Sequence, residues 1–446
     1  MQRIGGYDLA QKELSVAAYN FLVIWMGSVA FLALQIPREE TVILFITYAV
    51  SFFAYFWIVQ LTQISWRILV ISGIVVRLLL FLDLPNLSDD FYRFIWDGTL
   101  LARGINPYGL LPTDVLPQHL PGLDQAYYDQ LNSPNYYTIY PPLNQAIFWL
   151  SAQLGGVDQL LLSVNVMRLF LLAADIGTAL LLGKLLSSQG LNKRWALWYF
   201  LNPLVILEFT GNLHFEGLVV FFLVWALYCF ESSRTWGQGL GFAGAIATKL
   251  IPLIYLPAVL MKQWPRRGIW VCAIAGIAAG ITFLPLISSA LVSGMSSSIG
   301  LYFQSFEFNA SIYFIVREIG FAIKGYNLIQ QIGPWLGIST FVLITTWSIV
   351  GTWRKQSLAQ LMLGSLVIYL LLSTTVHPWY VLPLIPLGLV AGYYFPVVWS
   401  LLIFLTYMGY SNDPFHLPMG WIAFEYLVVL GTFLVELKLK WTRNET

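Results

Sequence analysis

The sequence predicts an all-α protein that crosses a membrane many times. Of its 446 residues, 58% are hydrophobic and only 10% charged, against roughly 25% charged in a soluble domain. The mean hydropathy is +0.72. Apolar runs long enough to cross the roughly 30 Å hydrocarbon core recur along the chain and are flanked by basic residues. The net charge of +1 gives no basis for a nucleic-acid partner, and none is expected. Cys229 and Cys272 both fall inside apolar runs, so they imply no disulfide framework.

Taken in order, the first spans are expected near 16–36, 41–61 and 66–84. Arg3 and Lys12 precede an apolar segment with no small-residue cleavage site, so that segment is expected to stay as a helix with its N-terminus in the cytoplasm. Three crossings then bring the chain to the outer face at 85–142, an interval rich in Pro, Gly, Asn and Tyr and too polar to cross. The stretch 141–155 is short, and the sidedness of the later spans depends on its not crossing fully. The next spans are expected near 160–186, 195–210 and 217–231, with Lys193 and Arg194 marking a cytoplasmic link.

Residues 237–261 carry Lys249, Pro252 and Pro257 inside an apolar run, which suits two half-helices better than one straight span. A span at 268–288 leads to a second long outer loop, 289–333, whose SFEFNASIYFIVREIG reads as an amphipathic interfacial helix. The last spans are expected near 334–351, 357–375, 379–394, 396–410 and 420–437. The total is about 11 to 13 spans in one membrane domain, 1–446, with no internal repeat.

Polar residues gather at four outer span ends. If Ser88 caps a helix starting at Asp89, then Asp90, Arg93 and Asp97 share one face. Asn212, His214 and Glu216 form the second group, His377 the third, and Glu307 with Asn309 the fourth. Lys249 and Arg317 are the cations expected to face them. Each has a plainer reading: an interfacial ion pair for Asp90 and Arg93, helix-start capping for His214 and Glu216, a satisfied structural residue for His377, and snorkelling for Lys249. Asn86-Leu-Ser88 and Asn309-Ala-Ser311 also match the N-glycosylation pattern, which recurs by chance.

Acids and cations on one membrane face suit group transfer from a lipid phosphate. A carboxylate can take the acceptor's proton while cations stabilise the leaving phosphate. Neither GxxxxGK[ST] nor GxGxxG occurs in the chain.

In order, SDDFYRFIWDGTLLARGINPY, YPPLNQAIFWL, MRLFLLAADIGTALLLGKLL, FLNPLVILEFTGNLHFEGLVV, ATKLIPLIYLPAVL and STTVHPWYVLPLIPL run from residue 87 to 387. On these the chain resembles the GT-C superfamily of lipid-phosphate-sugar-dependent glycosyltransferases. It looks closest to the GPI mannosyltransferase I catalytic subunit and to bacterial polyprenyl-phosphate-mannose-dependent mannosyltransferases.

The resemblance implies a hexosyltransferase, with mannose the expected sugar, moving it with inversion to a lipid-linked or glycan acceptor at the outer face. It places the catalytic acid in the first outer loop. Asp89 matches the first acid of the D-x-D pattern, Phe91 stands where the second would be, and Asp90 lies between them. The base is therefore either Asp89 or Asp90, which would also be the ligands of a divalent cation, Mg or Mn, if one is held. Asp97 and Asp175 match further family acids, Asp175 in a structural role. Arg93 and Lys249 are expected to hold the donor phosphate, with Asp97, Tyr140, Asn212, His214, Glu216 and His377 lining the substrate site. The helix pair within 1–65 looks like an addition ahead of the usual first catalytic span, which favours a bacterial cytoplasmic membrane. The competing class is a transporter or lipid flippase, which also needs charges in broken helices; an inactive scaffold subunit is a third reading.

Overall fold

The computed structural model describes residues 2–412 and 415–445. The side chains of 2–12, Ile299, 301–303, Trp441 and 443–445 lie outside the description, so the flanking charges Arg3 and Lys12 do too. Among the described residues the regular elements are all helical, and the one extended pairing is a parallel bridge between Phe308 and Thr375.

The elements that matter for the site are α1 (Gln2–Gln35), α2 (Thr41–Gln60), α3 (Trp66–Leu79), α4 (Asp90–Ala102), α5 (Pro142–Leu154), α6 (Leu160–Ser188), α7 (Glu216–Glu231), α8 (Thr235–Thr248), α9 (Arg266–Phe283), α10 (Ile312–Lys324), α11 (Ile329–Trp353), α12 (Leu358–Leu372) and α13 (Met419–Glu445). Five continuous helices among the described residues are long and apolar enough to cross a membrane: Glu13–Gln35 within α1, α2, α6, Arg266–Leu286 around α9, and α11. A sixth crossing exists if Pro203–Gly211 and α7, bent by 116°, count as one.

The other expected spans are built from shorter pieces, and prolines explain most of the breaks. Pro203, Pro378 and Pro396 each open a short helix, where a missing N–H costs nothing. The expected 237–261 unit is indeed divided: α8 ends at Thr248, Lys249 is extended, and a 3-10 turn with Pro252 leads into Leu256–Lys262. α5 has 13 residues, about 20 Å at 1.5 Å per residue, too short to cross.

Burial sorts the helices. More than half of α6 is buried, whereas most of α11 is exposed, so α6 is central and α11 lies on the outside of the bundle. The N-terminal pair is not loosely attached. Tyr48 Oη donates to the Ser400 carbonyl at 2.6 Å, and its ring stacks on Phe404 at 3.8 Å. Tyr55 Oη donates to the Trp198 carbonyl at 2.5 Å. The second loop carries the expected amphipathic helix as α10, which the αL residue Gly325 ends.

Candidate active site

The site begins where α4 starts. Asp89, not Ser88, occupies the N-cap position, so the helix begins one residue later than expected. Ser88 Oγ accepts from the Asp90 N–H at 3.4 Å. The 3.6-residue period still turns Asp90, Arg93 and Asp97 to one side. Arg93 Nε donates to Asp97 Oδ1 at 2.9 Å, and Arg93 Nη1 donates to the Ser133 and Tyr136 carbonyls. Gln145 Nε2 donates to Asp97 Oδ2 at 3.3 Å. Arg93 and Asp97 are both buried and staple the 133–138 loop and α5 onto α4, rather than facing an open substrate site. Gly98 lets α5 come close: a Cβ there would lie 2.1 Å from the Phe148 carbonyl oxygen.

The two adjacent acids diverge. Asp89 reaches the rim, where Arg38 Nη1 of the α1–α2 link stands 2.6 Å from its carboxylate. Asp90 points inward. Asn132 Nδ2 donates to its Oδ1 at 2.6 Å, and its Oδ2 lies 3.5 Å from His214 Nε2, an ion-pair rather than a hydrogen-bond distance. Burial alone would raise the Asp90 carboxyl, but His214 and Asn132 outweigh it and hold it below its ordinary value.

His214 is aimed by an unusual stretch of backbone. Asn202 caps the short helix opened by Pro203, and residues Ile206–Gly211 continue it as a π-helix. Leu213 then takes φ +65°, left-handed and costly for a branched side chain, although it is fully buried. Arg168 of α6 holds this bend: it donates to the Thr210 carbonyl at 2.9 Å, the Gly211 carbonyl at 3.2 Å and the Asp83 carbonyl at 2.5 Å.

The bend places Glu208 behind the imidazole. His214 Nδ1 and Glu208 Oε2 are 2.8 Å apart, and Glu208 also accepts from Tyr407 Oη at 2.9 Å and Asn212 Nδ2 at 3.1 Å. Asn212 is thereby part of the support. Burial would lower the imidazole, yet Asp90 and Glu208 on either side raise it to about 9. His214 is an imidazolium between two carboxylates.

His377 sits on the other side of Trp379. The indole stacks on His214 at 3.5 Å and on His377 at 4.5 Å, and Phe308 covers the far face of His377 at 4.6 Å. Burial pushes His377 down to about 3, so it is neutral. Glu216, first residue of α7, pairs with Lys249, whose Nζ also lies 4.4 Å over the Tyr380 ring. Tyr140 packs edge-on against Phe94 at 5.0 Å, beside the α4–α5 crossing.

Four segments therefore meet here: the start of α4, the 206–216 bend, the Lys249 break and the 377–380 turn. The fourth expected group stands apart. Arg317 Nη1 lies 2.6 Å from Glu307, while Asn309 donates to the buried Glu425. That loop reaches the site through Phe308 instead. Of the two glycosylation matches, Asn309 is buried, and the half-buried Asn86 donates through Nδ2 to the Ile36 carbonyl. Sequence reading did not find Arg38, Asn132, Arg168, Glu208, Trp379 or Tyr407. An acid in PLVILEF and an arginine in VMRLF, each alone in an apolar run, were the available signals.

Among the described residues no group of three or more His, Cys, Asp or Glu is arranged to hold a metal. Asp89 and Asp90 face different cationic partners, Arg38 and His214, so this donor set does not fit a divalent ion.

Residues 14–264 match the family model described as "Alpha-(1->6)-mannopyranosyltransferase, N-terminal domain". The match starts inside α1 and so includes the N-terminal helix pair. It includes every site residue from Asp89 to Lys249 and stops before His377. Alpha-(1->6)-mannopyranosyltransferase A of Mycobacterium tuberculosis is 29% identical over 234 residues, covering 50% of this chain and 43% of that protein. With more than half of its length under that model, the chain belongs to the alpha-(1->6)-mannopyranosyltransferase family.

Proposed function

We propose that this protein is a membrane mannosyltransferase that takes mannose from a polyprenyl-phosphate donor and passes it to a lipid-linked or glycan acceptor. The observation that carries the reading is the inward carboxylate of Asp90, ionised and half-open beside an imidazolium that Glu208 fixes from behind. Asp90 takes the proton of the acceptor hydroxyl as that oxygen attacks the sugar C1. The C1–O bond to phosphate breaks with inversion, and the phosphate keeps the electron pair. Lys249 and the His214 imidazolium are the cations the site offers to that charge. Asp89, held by Arg38, shapes the rim. No step runs through a metal.

Sidedness supports an outward-facing site in a bacterial cytoplasmic membrane. α7 starts in the site at Glu216 and ends at Glu231, where Lys193 lines one cavity with Glu231 and Arg267 donates to the Phe230 carbonyl, so these basic residues lie at the end away from the site. A transport path is not favoured, because the deeper ion pair, Arg77 with Asp175, is closed by its own partners.

Membranes carrying Asp90→Asn should transfer labelled mannose from polyprenyl-phosphate mannose about 10²–10⁴-fold more slowly than wild type. Asp89→Asn should cost far less. Equal wild-type rates in both variants would refute the proposal, and loss confined to Asp89→Asn would move the base to the rim.

A further inference from the structure

At the far end of α6 and α7 lies a cavity of about 560 Å³ that the transfer reaction does not use. Its walls include Trp66, Lys184, Ser187, Lys193, Tyr228 and Glu231. The volume is that of a small-molecule site. α7 runs 16 residues from Glu216 to Glu231, so the cavity is about 24 Å along that helix from the candidate active site. One turn before Lys184, Leu180 is 52% exposed on the apolar outside of α6, so the cavity opens where a lipid headgroup would lie.

The cavity is built rather than incidental. Arg194 donates to the carbonyls of Ile58, Val59, Leu61 and Ile64, locking the 193–196 turn onto the α2–α3 link. The turn packs directly on α6: a Cβ built at Gly183 would be in van der Waals contact with Lys193 Cβ, at 3.7 Å. Lys184 and Lys193 consequently flank one space, and neither has a carboxylate partner among the described residues. Ser187 and Ser188 donate their hydroxyl protons to the Gly183 and Leu185 carbonyls, so the two lysines are the cationic donors of the cavity.

Lys184 stands just before the last turn of α6, where the helix dipole favours a cation only weakly. The dipole does not explain a second unpaired lysine from another segment across the same space. Nor does it explain Glu231, unpaired among the described residues at the negative end of α7, where the dipole disfavours an acid. Two cations and one acid around an interfacial cavity with Trp66 and Tyr228 match a zwitterion. We infer that this cavity binds a phospholipid headgroup bearing a primary amine, with the phosphate on Lys184 and Lys193 and the ammonium on Glu231.

The test uses the purified full-length protein, stripped of lipid in detergent and titrated separately with phosphatidylethanolamine, phosphatidylglycerol and inorganic phosphate. Retained lipid is counted by native mass spectrometry. Phosphatidylethanolamine should be retained in preference to phosphatidylglycerol. Lys184→Ala with Lys193→Ala should weaken its retention roughly thirtyfold, about fivefold per lysine. Glu231→Gln should abolish the preference while phosphatidylglycerol binding persists. All these side chains are exposed or half-exposed, so the variants should melt like wild type, and mannosyl transfer should continue. Equal retention of both lipids by wild type, wild-type retention by the double variant, or displacement of the lipid by millimolar inorganic phosphate would each overturn the inference.

Discussion

His214 shows how three neighbours set one side chain's chemistry. Its ring is fixed by stacking on Trp379, its Nδ1 by Glu208 and its Nε2 side by Asp90. The charged form is the one the site stabilises, with the imidazole raised to about 9. Because the folded value lies above the ordinary one, this contribution is complete below about pH 6.5. It fades as pH rises toward 9. Transfer rate and melting midpoint should therefore both fall on that alkaline side. Glu208→Gln removes one of the two acids and should move the alkaline limb of the rate profile to lower pH while Asp90 still supplies the base. A limb that stays in place would mean that another group controls it.

At the scale of elements, the 206–216 bend is the device that brings three site residues together. A regular α-helix could not present Glu208, Asn212 and His214 around one point, since residues six apart lie on different faces. The π-helix and the left-handed Leu213 do it instead, at a cost of roughly 1–3 kcal/mol for such backbone. Arg168 offsets that cost by capping the two carbonyls the bend exposes. Arg168→Met keeps most of the volume but leaves buried carbonyls without donors, at about 1–3 kcal/mol for each. The variant should lower mannose transfer through a loosened His214, with kcat falling more than KM changes. If kcat held while only the melting midpoint dropped, Arg168 would be a stabilising residue without influence on the site.

This bend also marks how far the sequence could be read. The apolar runs and the residues Asp90, His214, Glu216, Lys249 and His377 were legible, because charge in a lipid-facing sequence is costly and stands out. The one-residue shift at Ser88, the π-helix and the partners Arg38 and Trp379 were not, because each depends on contacts between segments far apart in the chain. Arg93 misled for the same reason. Its charge was visible, while the Ser133 and Tyr136 carbonyls that hold it were not.

Across the whole molecule, the open ionisable groups of the candidate site contrast with a closed pair deep in the bundle. Arg77 of α3 donates to Asp175 of α6 at 2.9 Å and to the Gly73 and Phe200 carbonyls, while Tyr199 Oη donates to the other Asp175 oxygen at 2.6 Å. Both charged side chains are fully buried. With every neighbour committed, the pair has no atom left for substrate, so it ties α3, α6 and the 197–200 turn together as a structural knot. Asp175→Asn would strand the guanidinium in an apolar interior, a loss of about 3–5 kcal/mol. The folded yield and melting midpoint of the purified protein should drop sharply. Transfer per folded molecule should stay near wild type, the reverse of the pattern expected for Asp90→Asn. Adding Arg77→Met to Asp175→Asn removes the stranded charge and should recover much of the lost stability, because a buried pair replaced on both sides costs far less than one cut in half. Failure of the double variant to recover, together with lost transfer in its folded fraction, would draw the deep pair into the reaction and reopen the case for a path through the bundle.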